Sequence, residues 1–232
     1  MNNNRYFLKL TLFILSVLTF SLVGNAEAVL LTSNNQTSNN PVPNKPALNN
    51  SSSLLNDTKK HFSQLVKSID SQLIKNQQQL KADDQILLQF VKQNILSNWH
   101  VELTLKRLLS KEKWGRLSSS EINALKQRFN ETLHRYMQEA MGYYDNQRII
   151  FVSIKLNKRQ TKGLLTLQLQ PIYLPSFNVS FKINYSNNQW LLYDAYVEGI
   201  SYIKMKRGDY REHLDSNGIK GLLAYLDKKN GK

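Results

Sequence analysis

The chain has 232 residues, a formal net charge of +14 and no cysteine. The absence of cysteine excludes disulfides, thiolate catalysis and cysteine-ligated metal sites, and with them the lipid-bearing cysteine of a bacterial lipoprotein. The positive charge predicts attraction to anionic surfaces such as phosphate head groups, acidic proteins or nucleic acid. The alternative is that the excess of lysine only keeps the protein in solution.

Residues 1–28 have the pattern of a cleaved secretory signal. Two basic side chains precede an uncharged apolar run over residues 10–23, and residues 26–28 (Ala-Glu-Ala) supply a small-x-small cleavage pattern. The apolar run is shorter than the roughly 20 residues that a transmembrane helix needs. We therefore expect an exported protein whose mature chain begins at Val29 and which meets no nucleic acid.

Residues 29–53 are predicted to form a disordered tether. Almost every residue of 32–53 is Asn, Ser, Thr, Gln or Pro. Such a composition cannot bury enough apolar surface to offset the entropy lost on ordering. The folded domain is therefore expected over residues 54–232.

Apolar residues in 54–147 recur at steps of three and four, which indicates helices. A stripe that includes Phe62 predicts the first helix, and Asp83 or Asp84 can cap a second one. A third helical segment is expected at about 99–114, and Gly115, directly after Trp114, marks its end.

The next helix has a distinct start. Ser118 and Glu121 have the spacing of a capping box, in which each side chain bonds the backbone N–H of the other residue. Apolar residues then repeat at three or four positions as far as Gly142, so the sequence predicts one continuous helix here.

After Arg148 the period of the apolar residues changes to two, which predicts four strands. Turn-rich links between them indicate hairpins and therefore an antiparallel sheet. Short helices near 209–214 and after Gly218 close the domain, and the segregation of helices and strands predicts an α+β fold. The four alternating segments are Ile150–Leu156, Leu165–Leu169, Phe177–Tyr185 and Trp190–Glu198.

Residue patterns of the common enzyme classes are absent from the sequence. No two of its four histidines have a metal-ligand spacing, and neither a Gly-rich phosphate loop nor a Gly-x-Ser-x-Gly elbow occurs. Asp194 and Glu198 would stand roughly 13 Å apart along a strand, which exceeds the separation of glycosidase carboxylates. We predict no catalytic residue and no metal site. The aromatic residues either fill an ordinary core or wall a slot between sheet and helices, and periodicity leaves both open.

Residues 190–201 (Trp-Leu-Leu-Tyr-Asp-Ala-Tyr-Val-Glu-Gly-Ile-Ser) resemble the hallmark stretch of the MlaC, or toluene-tolerance, family of periplasmic phospholipid-binding proteins. That stretch runs as Trp, Tyr-Asp, Val-Glu-Gly and Ser. Trp114 and the helical register after it agree with the family too, so the resemblance covers about residues 80–226. Two departures are the long polar tether and Lys206, which stands where the family usually has an aromatic residue beside Arg207.

The resemblance implies an NTF2-like or cystatin-like fold, in which helices pack on a curved antiparallel sheet of about four strands and lipid tails lie between the layers. It also implies a periplasmic, monomeric carrier with no cofactor and a diacyl phospholipid as cargo. Its implied partners are an inner-membrane ABC transporter complex with its substrate-binding subunit and an outer-membrane lipoprotein/porin complex, and its implied role is to maintain outer-membrane lipid asymmetry. Two chains of about 16 carbons represent a gross burial gain on the order of 25 kcal/mol, so lipid does not cross water unaided.

Alternation and helical register assign ten residues to the lipid pocket of such a fold. Asp194, Glu198 and Arg207 are expected to fix the geometry between the last strand and the following helix instead. The pocket residues predicted on the sheet are Val152, Leu167, Phe181, Ile183, Tyr193 and Val197. Those predicted on the helices are Trp99, Leu103, Phe129 and Tyr136.

Two other functions are compatible with the sequence. An exported adaptor of the same fold would bind an envelope protein or polymer through its basic surface and carry no lipid. A small secreted hydrolase would turn over lipid esters. The lipid content of the purified protein distinguishes the adaptor from the carrier, and the fate of the bound lipid on incubation distinguishes the hydrolase.

Overall fold

The computed structural model describes residues 49–173 and 175–232. The expected signal peptide and the expected tether up to residue 48 lie outside the described residues. Residues 49–53, which the sequence analysis assigned to the tether, are helical instead. They extend the N-terminal end of the first helix, whose apolar residues begin only a turn later.

Six α-helices occur among the described residues. The first, the fifth and the sixth are long, and a 3₁₀ turn at Leu96–Asn98 lies between the second and the third. No helix in the described ranges is both long and apolar enough to cross a bilayer. The helices are α1 (Asn49–Ala82), α2 (Asp84–Asn94), α3 (Val101–Leu109), α4 (Lys111–Gly115), α5 (Ser119–Tyr143) and α6 (Tyr202–Lys229).

Side chains at the helix starts fix several of these boundaries. The capping box is confirmed, because the Ser118 hydroxyl accepts from the Glu121 N–H and the Glu121 carboxylate accepts from the Ser118 N–H at 2.8 Å. Asp83 is the cap of α2 and accepts from two backbone N–H groups. The predicted segment at 99–114 is divided at Ser110, whose φ of 95° breaks the helix and whose hydroxyl caps α4.

The C-terminal helix α6 begins earlier than the sequence predicts. It starts at Tyr202, directly after the sheet, and the two short helices expected there are its two halves. They meet at a kink where Gly218 has φ 62° and ψ −164°, a conformation that glycine adopts without steric cost.

The sheet is antiparallel with strand order β1-β2-β3-β4-β5, which confirms the α+β prediction. A short fifth strand was not expected, and it pairs with the end of the fourth. Glu198 and Gly199 both have positive φ and form the two-residue turn between them. The strands are β1 (Arg148–Leu156), β2 (Lys162–Gln170), β3 (Phe177–Ser186), β4 (Gln189–Val197) and β5 (Ile200–Ser201).

Two β-bulges interrupt the register. Val152 in β1 and Tyr193 in β4 have no partner on the neighbouring strand. A bulge inserts one residue and so reverses which face the following residues occupy. Strict alternation across each of these strands therefore gives the wrong face for part of the strand.

Helix α1 lies along the sheet and packs chiefly against β1. Phe62 is 1% exposed and belongs to one apolar cluster with Ile154, Leu165 and Ile183 of the sheet. A second cluster joins α3, α5 and α6 around Phe129, whose side chain is fully buried. The helical cover of the sheet therefore has two parts. Helix α1 forms one part, and the α3–α5–α6 group forms the other.

Candidate functional site

An apolar cavity of about 150 Å³ lies between α1, α5 and one end of the sheet. Its walls are almost entirely hydrocarbon, and it opens to the outside. A cavity without polar groups stays dry and accepts apolar ligands. Its lining residues include Leu73, Ala140, Met141, Ile149, Leu169 and Phe177.

The strand register shows which residues form the sheet side of this cavity. Ile149, Leu169 and Phe177 are paired across β1, β2 and β3 and form one transverse row. Since side chains two residues apart share a face, the adjacent row of that face includes Leu167 and Val179. The cavity floor thus continues into the apolar face that α1 covers.

The β2–β3 link next to the cavity has exposed apolar side chains. Tyr143 and Pro171 line the cavity. Ile172 and Tyr173, which follow in the β2–β3 link, are 56% and 77% exposed.

A buried carboxylate fastens α1 beside the cavity. Asp70 accepts hydrogen bonds from the Ile149 N–H at 2.8 Å and from the Arg148 Nε at 2.9 Å. The hydrogen bond from Arg148 to Asp70, together with the charge of Asp70, raises the pKa of the Arg148 guanidinium above its ordinary value. Burial raises the pKa of the nearby Tyr144 phenol, and the charge of Asp70 adds to that shift. The contact sets the distance between α1 and β1 where the cavity wall begins.

The six predicted pocket residues of the sheet occupy different environments. Ile183 is fully buried beneath α1, and Leu167 and Phe181 are half-buried against the same cluster. Val197 is half-buried and pairs with Val179. These four residues lie near the cavity floor or on its continuation, but they do not line the cavity.

The predicted inward orientation is wrong for Val152. It is 48% exposed, because the bulge carries the apolar row from Phe151 directly to Ile154. Tyr193, the other bulged residue, lines a basic groove on β4 and α6 and not the apolar cavity. Its carbonyl accepts from the Thr104 hydroxyl at 2.7 Å, so the bulge joins β4 to α3.

The four helix-side predictions lie away from the apolar cavity. Trp99 and Phe129 are in the closed core, where the Trp99 indole donates to the Thr104 hydroxyl at 2.9 Å. Leu103 is half-buried on α3. Tyr136 packs edge-on against Tyr202 and lines a separate cavity between α5 and α6. None of the ten predicted residues lines the apolar cavity, so sequence reasoning missed its whole lining. Two of the missed residues, Ala140 and Met141, extend the same α5 stripe by one turn.

The expected structural role of Asp194 is confirmed. Its buried carboxylate accepts from the Ser201 hydroxyl at 2.8 Å and from the Ile203 N–H at 3.1 Å, so it ties β4 to the start of α6. Glu198 belongs to the β4–β5 turn. Arg207 lies in the basic groove, which has a volume of about 860 Å³ and also contains Arg107 and Lys182.

Metal-ligating residues do not cluster in the structure. Over residues 49–173 and 175–232, no group of three or more histidine and acidic side chains could hold a metal ion. The described chain does offer an open, apolar cavity beside the seam between α1 and the sheet, and such a cavity suits hydrocarbon.

Comparison with known proteins agrees with this geometry. The family model described as MlaC protein matches residues 63–228. A crystal structure of a phospholipid-binding protein from Ralstonia solanacearum, in complex with a phospholipid, has the same fold with a TM-score of 0.64. The two sequences are 17% identical, and the match covers 73% of this chain and 96% of that one. No protein of curated function matches the chain.

Proposed function

Because the chain belongs to the MlaC protein family, we propose that it is a periplasmic phospholipid carrier that binds the acyl chains against the inner face of its sheet. The observation that carries this proposal is the open apolar cavity between Leu73, Ala140 and Leu169. The phospholipid bound by the structural neighbour supports it, since the two folds correspond over most of the neighbour's chain.

The cavity must widen to hold a whole lipid. Its volume of about 150 Å³ is below the roughly 300–1,000 Å³ of sites that bury a small molecule. The apolar face of the sheet continues from the cavity beneath Phe62 of α1. A shift of α1 away from β1 would join the cavity to that face and create one long apolar trough.

The energetic cost of such a shift is offset by the cargo. Burying a large apolar side chain such as Phe62 stabilises by about 1.5–3 kcal/mol, and burying one methylene by about 0.8 kcal/mol. Burying about two to four methylenes of lipid therefore offsets the free energy lost when one such side chain leaves the sheet. An acyl chain provides enough of them to displace several α1 residues, so loading and closure can be near balance, as a carrier requires.

The carrier exchanges its cargo with membrane complexes on either side of the periplasm. We assign it an inner-membrane ABC transporter complex, through that complex's substrate-binding subunit, and an outer-membrane lipoprotein/porin complex. In this role it maintains the lipid asymmetry of the outer membrane without catalysing a reaction. The excess of basic over acidic residues and the basic groove around Arg107, Lys182 and Arg207 support contact with acidic surfaces of such partners.

Native mass spectrometry of the purified protein tests this function. We expect a species that is heavier than the apo chain by the mass of one diacyl phospholipid, and the extracted lipid should be intact after prolonged incubation. Apo protein that takes up no lipid from liposomes would contradict carriage and favour a lipid-free adaptor. Release of fatty acid from the bound lipid would favour a hydrolase.

A further inference from the structure

The basic groove lies where β3 and β4 meet α3 and the start of α6. Its wall contains four cationic side chains and one acidic side chain. It shares no lining residue with the apolar cavity, so it is a separate site from the one that we assign to acyl chains. The cationic residues are Arg107, Lys182, Lys204 and Arg207, and the acidic residue is Asp194.

The negative charge of Asp194 is balanced within the fold. Its carboxylate accepts from the Ser201 hydroxyl and from the Ile203 N–H, and the Lys182 ammonium lies 3.9 Å from it. The same ammonium lies 4.8 Å from the centre of the Tyr196 ring, whose face attracts a cation. Asp194 and Lys182 therefore compensate each other's charge.

The other three cations of the groove have no acidic partner. Among the described residues, no carboxylate forms an ion pair with Arg107, Lys204 or Arg207. Glu198, in the turn after β4, does not line the groove. The Arg207 Nε is buried and has no hydrogen-bond acceptor in the described part of the chain. Because buried donors are nearly always satisfied, this nitrogen indicates a missing acceptor.

Acidic residues of the neighbouring helices pair outside the groove. On α3, Glu102 lies 2.6 Å from Lys106 and 2.9 Å from Lys126 of α5. On α6, Asp209 lies 3.8 Å from Lys206. None of these residues lines the groove. The groove wall therefore has an excess of three positive charges, which attracts an anionic partner.

The uncharged part of the wall favours a polypeptide as that partner. Tyr193, Tyr196 and Met205 line the groove, and so does Ile200, which is 49% exposed. Tyrosine, methionine and arginine are enriched where proteins bind one another. A phosphate head group would satisfy the cations but would leave these apolar surfaces uncovered. A protein segment with both carboxylates and apolar side chains matches both parts of the wall.

Contacts between its elements hold the groove in shape. The Tyr193 carbonyl accepts from the Thr104 hydroxyl at 2.7 Å and so joins β4 to α3. Asp194 joins β4 to the start of α6 through Ser201 and Ile203. A site that is already formed loses little conformational freedom when it binds.

We propose that the basic groove is the docking site for an acidic segment of a partner protein. Arg107, Lys204 and Arg207 contact its carboxylates, and Ile200 and Met205 contact an apolar side chain between them. A guanidinium donates two parallel hydrogen bonds to a carboxylate, which orients the segment. This assignment rests on the proposed function, because a carrier must dock on the complexes with which it exchanges lipid. It adds that docking and cargo use separate sites.

Calorimetric titration of the purified protein with the peptide Glu-Leu-Glu-Leu-Glu tests the groove, and Gln-Leu-Gln-Leu-Gln at equal ionic strength is the reference probe. A groove variant, Arg107→Gln/Lys204→Gln, removes two exposed cations of the wall. A link variant, Lys158→Gln/Arg159→Gln, removes two exposed cations between β1 and β2. The two variants have the same net charge, so the general attraction of the protein for anions falls equally in both.

We expect the acidic peptide to bind the wild type and the link variant with similar affinity, and the groove variant at least about tenfold more weakly. The reference peptide should bind none of them. No binding of the acidic peptide by the wild type, or equal binding by the two variants, would overturn the proposal. Weaker binding of phosphatidylglycerol vesicles by the groove variant, with peptide binding equal in both variants, would assign the groove to lipid head groups instead.

Native mass spectra of the same proteins separate docking from carriage. Both variants should retain the lipid occupancy of the wild type, since the groove and the apolar cavity share no residue. Loss of lipid from the groove variant alone would contradict separate sites. A wild type that binds the acidic peptide but holds no lipid would refute the carrier function and leave the groove assignment standing, and a lipid-loaded wild type that ignores the peptide would do the reverse.

Discussion

The carboxylate of Asp70 accepts a hydrogen bond from the backbone N–H of Ile149 at 2.8 Å, and this bond fastens helix α1 to the first strand. Ile149 also lines the apolar cavity. Leu73, one helical turn after Asp70, lines the same cavity from α1. The Asp70–Ile149 contact that holds α1 on the sheet is therefore adjacent to the cavity, which would widen if α1 moved away from β1.

Asp70→Ala should loosen the seam. A hydrogen bond to a buried charged group contributes about 1.5–3 kcal/mol, so we expect urea denaturation to show a loss of unfolding free energy of about 2 kcal/mol. Lipid uptake from liposomes should become faster, because α1 separates from β1 more readily. Asp57→Ala, on an exposed part of the same helix, is the control. Slower uptake by Asp70→Ala would show that α1 does not gate the cavity.

Ala140→Phe should fill the apolar cavity. Ala140 is in the cavity wall on α5, and the phenyl ring of the variant would occupy part of the 150 Å³ cavity. We expect lower lipid occupancy in native mass spectra with the melting temperature little changed. Val152→Phe adds a ring at an exposed bulge and serves as the control. Equal occupancy in the two variants would place the acyl chains elsewhere.

Asp194→Ala should destabilise the fold without changing the cavity. The substitution leaves the Ser201 hydroxyl and the Ile203 N–H buried without their acceptor. Each such group costs about 1–3 kcal/mol, so a loss of about 3 kcal/mol in unfolding free energy is expected from chemical denaturation. Asp145→Ala, at an exposed position, should have no measurable effect. A loss under 1 kcal/mol for Asp194→Ala would show that the β4–α6 junction does not depend on this carboxylate.

Glu102 should give the protein a pH-dependent stability in acid. Hydrogen bonds from Lys106 and Lys126 lower the pKa of Glu102 from 4.5 to about 2. Because the folded-state pKa is the lower one, the contribution is complete above pH 4.5 and is lost as the pH falls toward 2. The effect is small, since Glu102 is 38% exposed and such pairs contribute less than about 1 kcal/mol. The melting temperatures of wild type and Glu102→Gln should therefore converge between pH 4.5 and 2. A constant difference over that range would contradict this assignment.

The helices were predictable because their signals are local. The capping box of Ser118 and Glu121 and the N-cap of Asp83 each involve residues two or three apart, so the sequence displays both partners together. The start of α1 at Asn49 was not predictable from composition, because an amphipathic helix can continue into a polar stretch once its apolar face is packed.

The pocket walls were less predictable, because the bulges depend on contacts between strands. The alternation of Ile150, Val152 and Ile154 fits one face of a regular strand, yet the pairing of Phe151 with Leu167 reverses that face at the bulge. Likewise, periodicity indicated that α5 has an apolar side but not which neighbour each turn meets. Phe129 contacts the closed core, while Ala140, three turns later, faces the cavity.

Photocrosslinking to bound lipid tests most directly whether the acyl chains occupy the apolar cavity. A photoreactive amino acid at position 169 would lie in the cavity wall, and the same amino acid at position 152 would lie on the exposed bulge. We expect a phospholipid adduct at position 169 and none at position 152 in protein loaded from liposomes. The absence of an adduct at 169, or equal adducts at both positions, would contradict the account.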